Sequence, residues 1–392
     1  MPLAGLRVLD LGQIYQGPYC GFLFAMAGAE VIKVEPPGGE PLRRRDRLQD
    51  GHYPFILLNG NKRAVSLNLK DERGKELLRR LVEQSDVLIE NFAPGVMDRL
   101  GVGAAALREV NPRLVYASGT GYGLSGPDRD NLAMDVTVQA YAGVMSVTGW
   151  PDRPPVKAGA AVADFMGGVN LYAAVVTALL ERERTGVSRS VEVAMQEALL
   201  PTLASNLGML YETGASPRTG SRHAALSVAP YNVYECADGH VALITVVEAH
   251  WRTLCDAMGR PELAHDERYS ANARRAEHID EVDEIVGAWT AGLTTAEVFA
   301  AAQRHHVPVA PVRTLPEVAA DPHLHERGML EWVEHHRFGR MALMRSPLRF
   351  DGAPGPALEP HPGYGEHNRD VYCGLLGLGE EELAALAADG VV

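Results

Sequence analysis

Asp164 is the side chain in this sequence best placed for nucleophilic chemistry. It follows a run of small apolar residues and precedes the pair Gly167-Gly168, which is interpreted as the opening of a helix. The residues that follow are almost all apolar and predict a helix over Val169–Arg182, with Asp164 near its N-terminus. The helix dipole favours an ionised carboxylate there, and an ionised carboxylate can attack a thioester carbonyl. Helix capping is the alternative role, because Asp is a preferred N-cap residue.

The elements that must position Asp164 come from the N-terminal half, where strand and helix patterns alternate. Pro18 suits the first position of the first helix. This alternation predicts an α/β fold with a parallel sheet. The predicted strands are Leu6–Leu11, Glu30–Glu35, Leu67–Lys70, Asp86–Glu90 and Arg113–Ser118, and the predicted helices are Tyr19–Ala27, Asp71–Gln84 and Ala104–Val110.

The character of the sequence changes after Thr213-Gly214. The pattern predicts a large α/β domain from 1–214 and 330–392, a small α+β domain from 225–325, and linkers at 215–224 and 326–329. The C-terminal helix Glu380–Ala388 could return the chain to the first domain. The other predicted elements are a strand at Val191–Val193, a helical stretch at Met195–Tyr211, a hairpin of Tyr231–Cys236 and His240–Val246, helices at His250–Met258, His278–Ala291 and Ala296–His305, and two extended stretches within 331–350.

Residues just past the strands are candidate ligand contacts, because open α/β sheets bind ligands at the carboxyl ends of their strands. Arg99 lies one or two turns into the segment after the fourth strand. Such a set suits an adenine nucleotide. The candidates are Tyr15, Gln16, Asn91, Phe92, Ala93 and Gly119–Gly123, together with Lys70, which closes the predicted strand Leu67-Asn68-Leu69-Lys70.

The densest basic stretch stands out in an acidic protein. Guanidinium groups bind phosphates well, so this stretch is either a phosphate site or a solvated surface. Its members are Arg43, Arg44, Arg45, Arg47, Lys62 and Arg63.

Composition limits the partners. The 392 residues are 46% hydrophobic and 22% charged, with a formal net charge of −13. Nucleic acid and anionic membranes would repel such a chain, so neither is expected as a partner. The four cysteines are far apart and no apolar run is long enough to span a bilayer, which favours a cytoplasmic protein with reduced thiols.

Two cofactor classes find little support in the motifs. The turn Gly12–Gly17 lacks GxGxxG, and Ile14 and Tyr15 stand where a pyrophosphate needs close backbone approach, which disfavours nicotinamide or flavin binding. The histidines between 305 and 336 come without an HExxH or Cys/His pattern, so no metal site is predicted.

Several blocks in order resemble the class III CoA-transferase family, also called CaiB/BaiF, and the likeness spans nearly the whole chain. The blocks are Val8-Leu9-Asp10 with Gly17-Pro18, Gly28–Glu35, Leu67–Lys70, Val87–Pro94, Asp98–Gly101, the Asp164 segment and Gly365-Glu366-His367. The resemblance implies an interlocked homodimer, with a Rossmann-like CoA-binding large domain built from both chain ends and a small domain from the middle.

The resemblance also implies roles for residues. Asp164 matches the family's catalytic aspartate, and Asp135 and Gln16 are expected to support it. Asn91, Phe92 and Arg99 match the CoA-contacting block, and Leu67–Lys70 matches the segment beside the adenine. The implied substrates are an acyl-CoA and a small carboxylic acid. Asp164 would form a mixed anhydride and then an aspartyl-CoA thioester, without a metal or a redox cofactor.

Two departures bear on the acyl group. The formyl-CoA transferase branch has a Gln where this chain has Tyr15, although Gln13 and Gln16 are adjacent. The segment 216–230 also lacks the branch's glycine-rich loop. Formyl and oxalyl donors are therefore less expected. The Arg43–Arg47 cluster favours a dicarboxylic group such as succinyl.

Two other functions stay open. An α-methylacyl-CoA racemase resembles these enzymes in fold but places a His where this chain has Met134, which cannot exchange a proton. The transferase is therefore favoured, unless another group such as His223 supplies the base. A non-catalytic CoA-binding subunit of a heteromeric complex is the second alternative, and the retention of Asp164 argues against it.

Overall fold

The computed structural model of the chain describes residues 1–45 and 51–392. Close backbone contacts divide these residues into two compact units. The first unit comprises Met1–Ala142, Ala160–Leu200 and Pro322–Val392, and the second comprises Gly143–Gly159 and Pro201–Asp321. The domains predicted from the sequence place 143–159 and 201–214 in the large domain instead.

A six-stranded parallel sheet forms the centre of the first unit. Its order is β3-β2-β1-β4-β5-β6, the order of a Rossmann-type sheet. The predicted α/β parallel fold is thereby confirmed. The strands of this sheet are β1 (Arg7–Asp10), β2 (Glu30–Glu35), β3 (Arg63–Ser66), β4 (Val87–Glu90), β5 (Val115–Thr120) and β6 (Ser190–Ala194).

Antiparallel strands make up the remaining sheets. Strands β7 (Tyr231–Cys236), β8 (Gly239–Ile244) and β9 (Val309–Pro311) form a three-stranded sheet in the second unit. Strands β10 (Leu330–His335) and β11 (Gly339–Met344) form a hairpin in the first unit.

The α-helices surround these sheets. Short 3-10 helices cover Leu200–Leu203 and Pro261–Ala264, and a π-helix covers Arg369–Leu375. The α-helices are α1 (Gln16–Met26), α2 (Pro41–Arg44), α3 (Tyr53–Leu58), α4 (Glu72–Glu83), α5 (Val96–Arg99), α6 (Ala104–Val110), α7 (Asp135–Tyr141), α8 (Val144–Val147), α9 (Val162–Thr185), α10 (Met195–Leu199), α11 (Ala204–Thr213), α12 (Glu248–Ala257), α13 (Asn272–Glu277), α14 (Ile279–Ala291), α15 (Thr295–Arg304), α16 (Leu315–Ala319), α17 (Pro322–Glu326) and α18 (Glu380–Ala388).

Both faces of the parallel sheet are buried. Successive residues of a strand point to opposite faces, so neighbouring residues of β1 pack in different clusters. On one face Leu9 of β1 packs in a cluster with Leu78 of α4. On the other face Val8 packs in a cluster with Val175 of α9. Helix α9 has the length and apolar composition of a membrane span, but its residues Leu171, Val175 and Leu179 belong to this core. The apolar character of α9 is therefore explained by its packing against the sheet.

The C-terminal segment covers the edge of β3. The backbone amide of His367 donates to the carbonyl of Ala64 at 2.9 Å, and the amide of Ser66 donates to the Asn368 side chain at 2.9 Å. Edge strands otherwise leave their backbone groups unpaired. The end of the chain thus completes the sheet that its beginning builds.

Three local predictions differ from the structure. The residues Leu67–Lys70 form a loop after β3 instead of a strand, because the amide of Lys70 turns back to the Asn68 side chain at 3.1 Å. Helix α1 begins two residues before Pro18, which still lies in the first turn, where no intrahelical amide bond is lost. The helix bearing Asp164 begins at Val162 instead of Val169.

The early start of α9 explains its paired glycines. A Cβ atom at Gly167 would lie 2.8 Å from the Gln16 side-chain nitrogen, and one at Gly168 would lie 2.8 Å from the Gln16 carbonyl oxygen. These glycines sit inside the helix and let α1 approach it closely. They do not open the helix.

Candidate functional site

Asp164 is the third residue of α9 and is 7% exposed. The N-cap residue of α9 is Ala161, whose side chain makes no capping hydrogen bond. The capping alternative for Asp164 is therefore wrong. Its carboxylate lies in the first turn, beside the amide end of the helix.

Asp135, at the start of α7, supplies the missing cap from a different element. Its carboxylate accepts hydrogen bonds from the backbone amides of Ala163 at 2.8 Å and Asp164 at 3.3 Å. The same carboxylate accepts a bond from the Gln139 side chain at 2.6 Å. Asp135 thus ties the N-terminus of α9 to α7.

Burial raises the pKa of Asp164 to about 7, and the negative charge of Asp135 adds to the increase. Desolvation disfavours the charged form of a carboxyl group, and so does a like charge nearby. The ionised state that the helix dipole alone predicts is therefore only partly populated at neutral pH. A raised pKa of this kind makes a carboxylate a stronger nucleophile once it is ionised.

Gln16 lies beside Asp164 in a space kept open by glycines. Its side chain is buried, and Cβ atoms at Gly119 and Gly167 would each lie 2.8 Å from its amide group. The amide nitrogen donates one bond to the carbonyl of Val193 at 3.3 Å. An amide nitrogen has two hydrogens, so a second donor is left for a ligand.

The turn between β1 and α1 is held from two sides. The Asn91 side chain accepts a bond from the backbone amide of Gln13 at 2.7 Å and donates to its carbonyl at 2.9 Å. Ile14 adopts a left-handed conformation with φ of +63°, and its amide donates to the Glu40 carboxylate at 3.3 Å. A β-branched residue rarely adopts this conformation. The surrounding contacts therefore determine the shape of the turn.

The cavity that contains Asp164, here called the Asp164 cleft, has a volume of about 460 Å³. It opens at the carboxyl ends of β4 and β5, where ligands of open α/β sheets bind. Its lining residues are Gln13, Ile14, Gln16, Asn91, Phe92, Ala93, Pro94, Gly119, Thr120, Gly121, Arg129, Asn131, Leu132, Ala133, Met134, Thr137, Asp164 and Met195.

A second cavity, here called the Lys70 cleft, has a volume of about 580 Å³. It shares Gln13 and Phe92 with the Asp164 cleft, so the two cavities adjoin. Its cations are Arg44 and Lys70. The lining residues are Leu11, Gln13, Val34, Glu35, Pro36, Pro37, Arg44, Leu67, Asn68, Leu69, Lys70, Phe92, Val96 and Leu100.

The structure brings most of the predicted site residues to these two clefts. Asp164, Gln16, Asn91, Phe92 and Ala93 line the first, and the whole of Leu67–Lys70 lines the second.

Tyr122 and Gly123 lie outside both linings, and so do three residues that were predicted to act in catalysis or CoA binding. Asp135 acts behind the cleft on the backbone of α9. Tyr15 packs against Phe165 with ring centroids 5.9 Å apart, and burial and the charge of Asp164 raise its pKa. Arg99 is exposed, and its side chain folds back over Gly95.

The basic stretch is mostly structural. Arg43 forms a buried ion pair with Glu35 at 2.8 Å, and Lys62 forms one with Asp10 at 2.6 Å. Arg63 pairs with Glu30 at 2.8 Å. Of the remaining members, Arg44 and Arg45 are exposed, and Arg47 lies outside the described residues. The stretch as a whole is therefore neither a phosphate site nor a solvated surface. Arg44 is accessible to a phosphate, whereas Arg43 and Lys62 are buried in ion pairs.

Sequence reasoning missed several lining residues. Pro36 and Pro37 follow β2 and would have been found by applying the strand-end rule to every strand. Arg129 and Asn131 lie in the long loop after β5, and Met195 follows β6. No local pattern marks Arg129, because only the folded loop brings it to the cleft.

The described residues give little support to racemase chemistry or to a metal site. Met134 lines the Asp164 cleft at the start of α7, and its side chain cannot exchange a proton. Across residues 1–45 and 51–392, no group of three or more His, Cys, Asp or Glu side chains is arranged to hold a metal ion.

Known proteins are similar to this chain in sequence and in fold over most of their lengths. The formyl-CoA:oxalate CoA-transferase of Streptomyces avermitilis is 37% identical, with 100% of this chain and 99% of that protein covered. The succinyl-CoA–D-citramalate CoA-transferase of Chloroflexus aurantiacus is 35% identical, with 100% and 98% covered. A crystal structure of a CaiB/BaiF family protein from Brucella suis, 32% identical, covers 96% of this chain and 99% of that chain with a TM-score of 0.83.

A family model described as CoA-transferase family III matches residues 3–368. The resemblance drawn from the sequence blocks is therefore confirmed. The chain belongs to CoA-transferase family III, the CaiB/BaiF family, and is a CoA-transferase.

Proposed function

We propose that this enzyme transfers CoA from an acyl-CoA thioester to a small carboxylic acid through covalent intermediates on Asp164. The observation that carries the proposal is the position of Asp164, whose buried carboxylate lines a cleft adjoining a second cleft with two cations. An extended thioester with a phosphorylated handle fits two adjoining cavities of this kind.

The Lys70 cleft is the proposed site of the nucleotide part of CoA. Phosphate groups are held by Arg and Lys side chains, and Arg44 and Lys70 are the cations of its lining. Apolar lining residues such as Val34, Leu69 and Leu100 provide a surface for the adenine. The pantetheine arm would then pass Gln13 and Phe92 to bring the thioester to Asp164.

In the first half-reaction the Asp164 carboxylate attacks the acyl carbonyl, the C–S bond breaks, and CoA leaves as a thiolate. The product is a mixed anhydride of Asp164 and the donor acid. The thiolate then attacks the Asp164 carbonyl of the anhydride and releases the donor acid as a carboxylate. This step leaves an aspartyl-CoA thioester.

In the second half-reaction the acceptor carboxylate attacks the aspartyl-CoA thioester and again releases the CoA thiolate. The thiolate attacks the acceptor carbonyl of the new anhydride, which gives the product acyl-CoA and restores the Asp164 carboxylate. Each attack places negative charge on a carbonyl oxygen. The second amide hydrogen of Gln16 is the proposed donor to that oxygen.

Asp135 is the proposed positioning residue for the nucleophile. It accepts hydrogen bonds from the backbone amides of Ala163 and Asp164, and its charge adds to the effect of burial in raising the pKa of the Asp164 carboxyl group. Tyr15, packed beside Asp164, and Arg99, beside the Phe92 loop, remain proposed CoA contacts that a bound ligand would have to reach.

We also propose that the enzyme works as an interlocked homodimer in the cytoplasm. Helix α9 exposes Val169 and Leu180, which suits burial against a second copy. The cysteines are free, which suits a reducing compartment. Light scattering coupled to size exclusion tests the dimer, and a monomer at micromolar concentration would exclude it.

The relatives' names include formyl-CoA, oxalate, succinyl-CoA and D-citramalate. The proposal for this chain covers an acyl-CoA donor and a small carboxylic acid acceptor. The test is to incubate the purified protein with formyl-, acetyl- or succinyl-CoA and a panel of acids, and to detect new acyl-CoAs by mass spectrometry. The proposal fails if no donor and acid pair gives an Asp164-dependent product.

A further inference from the structure

The Asp164 cleft has an uneven distribution of charge. Among its lining residues in the described part of the chain, Asp164 is the one acid and Arg129 is the one cation. The other polar lining groups, such as Gln13, Asn91 and Thr120, are neutral. The nucleotide phosphates proposed above have Arg44 and Lys70 in the adjoining cleft. The cation in the Asp164 cleft is therefore left for the acyl part of the substrate.

Arg129 is weakly engaged within the protein. Its guanidinium contacts the carboxylate of the next residue, Asp130, at 3.3 Å, and the two side chains are 47% and 77% exposed. An ion pair so exposed contributes little energy and exchanges readily for another carboxylate. Arg129 can thus turn to a ligand without breaking a buried contact.

Two other candidate cations, Arg43 and Lys62, are already held in buried ion pairs. The Arg43 side chain is 2% exposed and bound to Glu35, and that of Lys62 is fully buried and bound to Asp10. Withdrawing either one would leave a buried carboxylate unpaired, at a high energetic cost. Arg43 and Lys62 are thus poor sources of a counter-ion for the acyl group, whereas Arg129 is a good one.

We propose that Arg129 binds the distal carboxylate of a dicarboxylic acyl group while Asp164 reacts at the proximal carbonyl. Arg129 is thereby the residue that selects dicarboxylic over monocarboxylic substrates. This inference rests on the proposed function of Asp164. Because donor and acceptor acids occupy the same cleft in turn, Arg129 selects both.

A guanidinium suits this role because it can pair with a carboxylate through two parallel hydrogen bonds. When the substrate has no second carboxylate, Arg129 stays paired with Asp130. The binding energy of the contact between Arg129 and the substrate is then absent. The selection therefore acts on kcat/KM for one class of acids and leaves the chemistry at Asp164 unchanged.

The test compares succinate with butyrate as acceptors, and succinyl-CoA with butyryl-CoA as donors, because each pair has the same chain length. The variants are Arg129→Met and Arg129→Lys. The matched control is Arg153→Met, because Arg153 also pairs with an adjacent exposed acid, Asp152 at 3.5 Å, but does not line the Asp164 cleft.

The expected result is a loss of about 10- to 100-fold in kcat/KM for succinate in Arg129→Met, the size of one charge-assisted contact. The change for butyrate should stay within about threefold. Arg129→Lys should restore part of the loss, and Arg153→Met should match the wild type. Circular dichroism confirms that each variant is folded.

Three results would overturn the inference. They are a preference of the wild type for butyrate, equal losses with succinate and butyrate, and no loss with either. All three still include CoA transfer, so the proposed function survives them. The absence of CoA transfer from every acyl-CoA in the wild type would instead defeat the proposed function itself.

Discussion

The Asp135 carboxylate accepts a hydrogen bond from the backbone amide of Asp164 at 3.3 Å, so one aspartate caps the helix that carries the other. The same arrangement brings two carboxyl groups close together at the N-terminus of α9. Asp135 therefore has two effects on Asp164. Its hydrogen bonds fix the backbone, and its charge helps to raise the pKa of the nucleophile.

Replacement of Asp164 tests the covalent mechanism. Asp164→Asn and Asp164→Ala should abolish CoA transfer, because neither side chain can form the anhydride. Affinity for CoA, measured by calorimetry, should change little, since the Lys70 cleft is intact. In the wild type, acyl-CoA followed by hydroxylamine should give a modified peptide containing Asp164. If either variant keeps most of its activity, or if the label is found only at another residue, Asp164 is not the nucleophile.

The pH profile tests the electrostatic coupling. Since only ionised Asp164 attacks, kcat/KM for acyl-CoA should rise with pH through about 7. Asp135→Asn keeps the shape but removes the like charge, which lowers the pKa of Asp164. The rising limb should therefore move to lower pH. A control such as Asp370→Asn, an exposed acid paired with Arg63, should leave the limb in place. An unmoved limb in Asp135→Asn would contradict the coupling.

Stability should depend on the same carboxyl group. Its folded-state pKa lies above the ordinary value of 3.8, so the folded protein binds the proton more tightly and loses stability as pH rises from about 4 to 7. Asp164→Asn removes this loss. The variant should match the wild type near pH 4 and exceed it at pH 8 by up to about 4 kcal/mol, at 1.4 kcal/mol per pH unit.

Urea denaturation at the two pH values measures this difference. Glu183→Gln is the control, because Glu183 lies on the same helix but is 64% exposed. It should show no comparable gain at pH 8. An equal free energy of unfolding for Asp164→Asn and the wild type at pH 8 would contradict the prediction, because it would mean that the ionised carboxylate of Asp164 does not destabilise the folded protein. A gain would instead identify a destabilised functional site.

CoA affinity should depend on the cations of the Lys70 cleft. Arg44→Ala and Lys70→Ala should each weaken CoA binding about 3- to 10-fold, since exposed charge contacts are worth roughly 1 kcal/mol. Their effect on turnover should be smaller, because these groups lie away from the reacting carbonyl. Arg79→Ala is the control, because Arg79 is a half-buried cation that is paired with Glu76 and does not line the Lys70 cleft. A loss of CoA affinity in Arg99→Ala would show that Arg99 moves to the ligand. Unchanged CoA affinity in both Arg44→Ala and Lys70→Ala would mean that the nucleotide binds outside the Lys70 cleft.

Local patterns predicted the regular elements well. The bounds of β2, α6 and α18 follow from local sequence patterns and match the prediction. The start of α9 was missed because Gly167-Gly168 was interpreted as a helix opening. Its true role is visible only when Gln16 of α1 packs against it.

The site was predictable only in part, because contacts between residues far apart in the sequence leave no local pattern. The family resemblance placed Leu67, Asn68 and Leu69 beside the adenine. The strand-end rule located Asn91, Phe92 and Lys70, since parallel strands bring their ends to one edge. It could not find the partners of Arg43 and Lys62. The partner of Lys62, Asp10, lies 52 residues away in the sequence and meets it only in the folded core. Charge clusters in a sequence therefore say little about which charges reach a ligand.

The last prediction separates CoA transfer from racemisation and depends on Met134. A racemase must remove and return a proton at the carbon next to the thioester, which requires an acid or base on each side of that carbon. Met134 lines the Asp164 cleft and has no exchangeable proton. With a 2-methylacyl-CoA in deuterated water, the enzyme should incorporate no appreciable deuterium at that carbon. With an acyl-CoA and a free acid, it should exchange CoA under the same conditions. Rapid deuterium incorporation without acceptor-dependent transfer would reverse the assignment, because it would require a second base in the cleft.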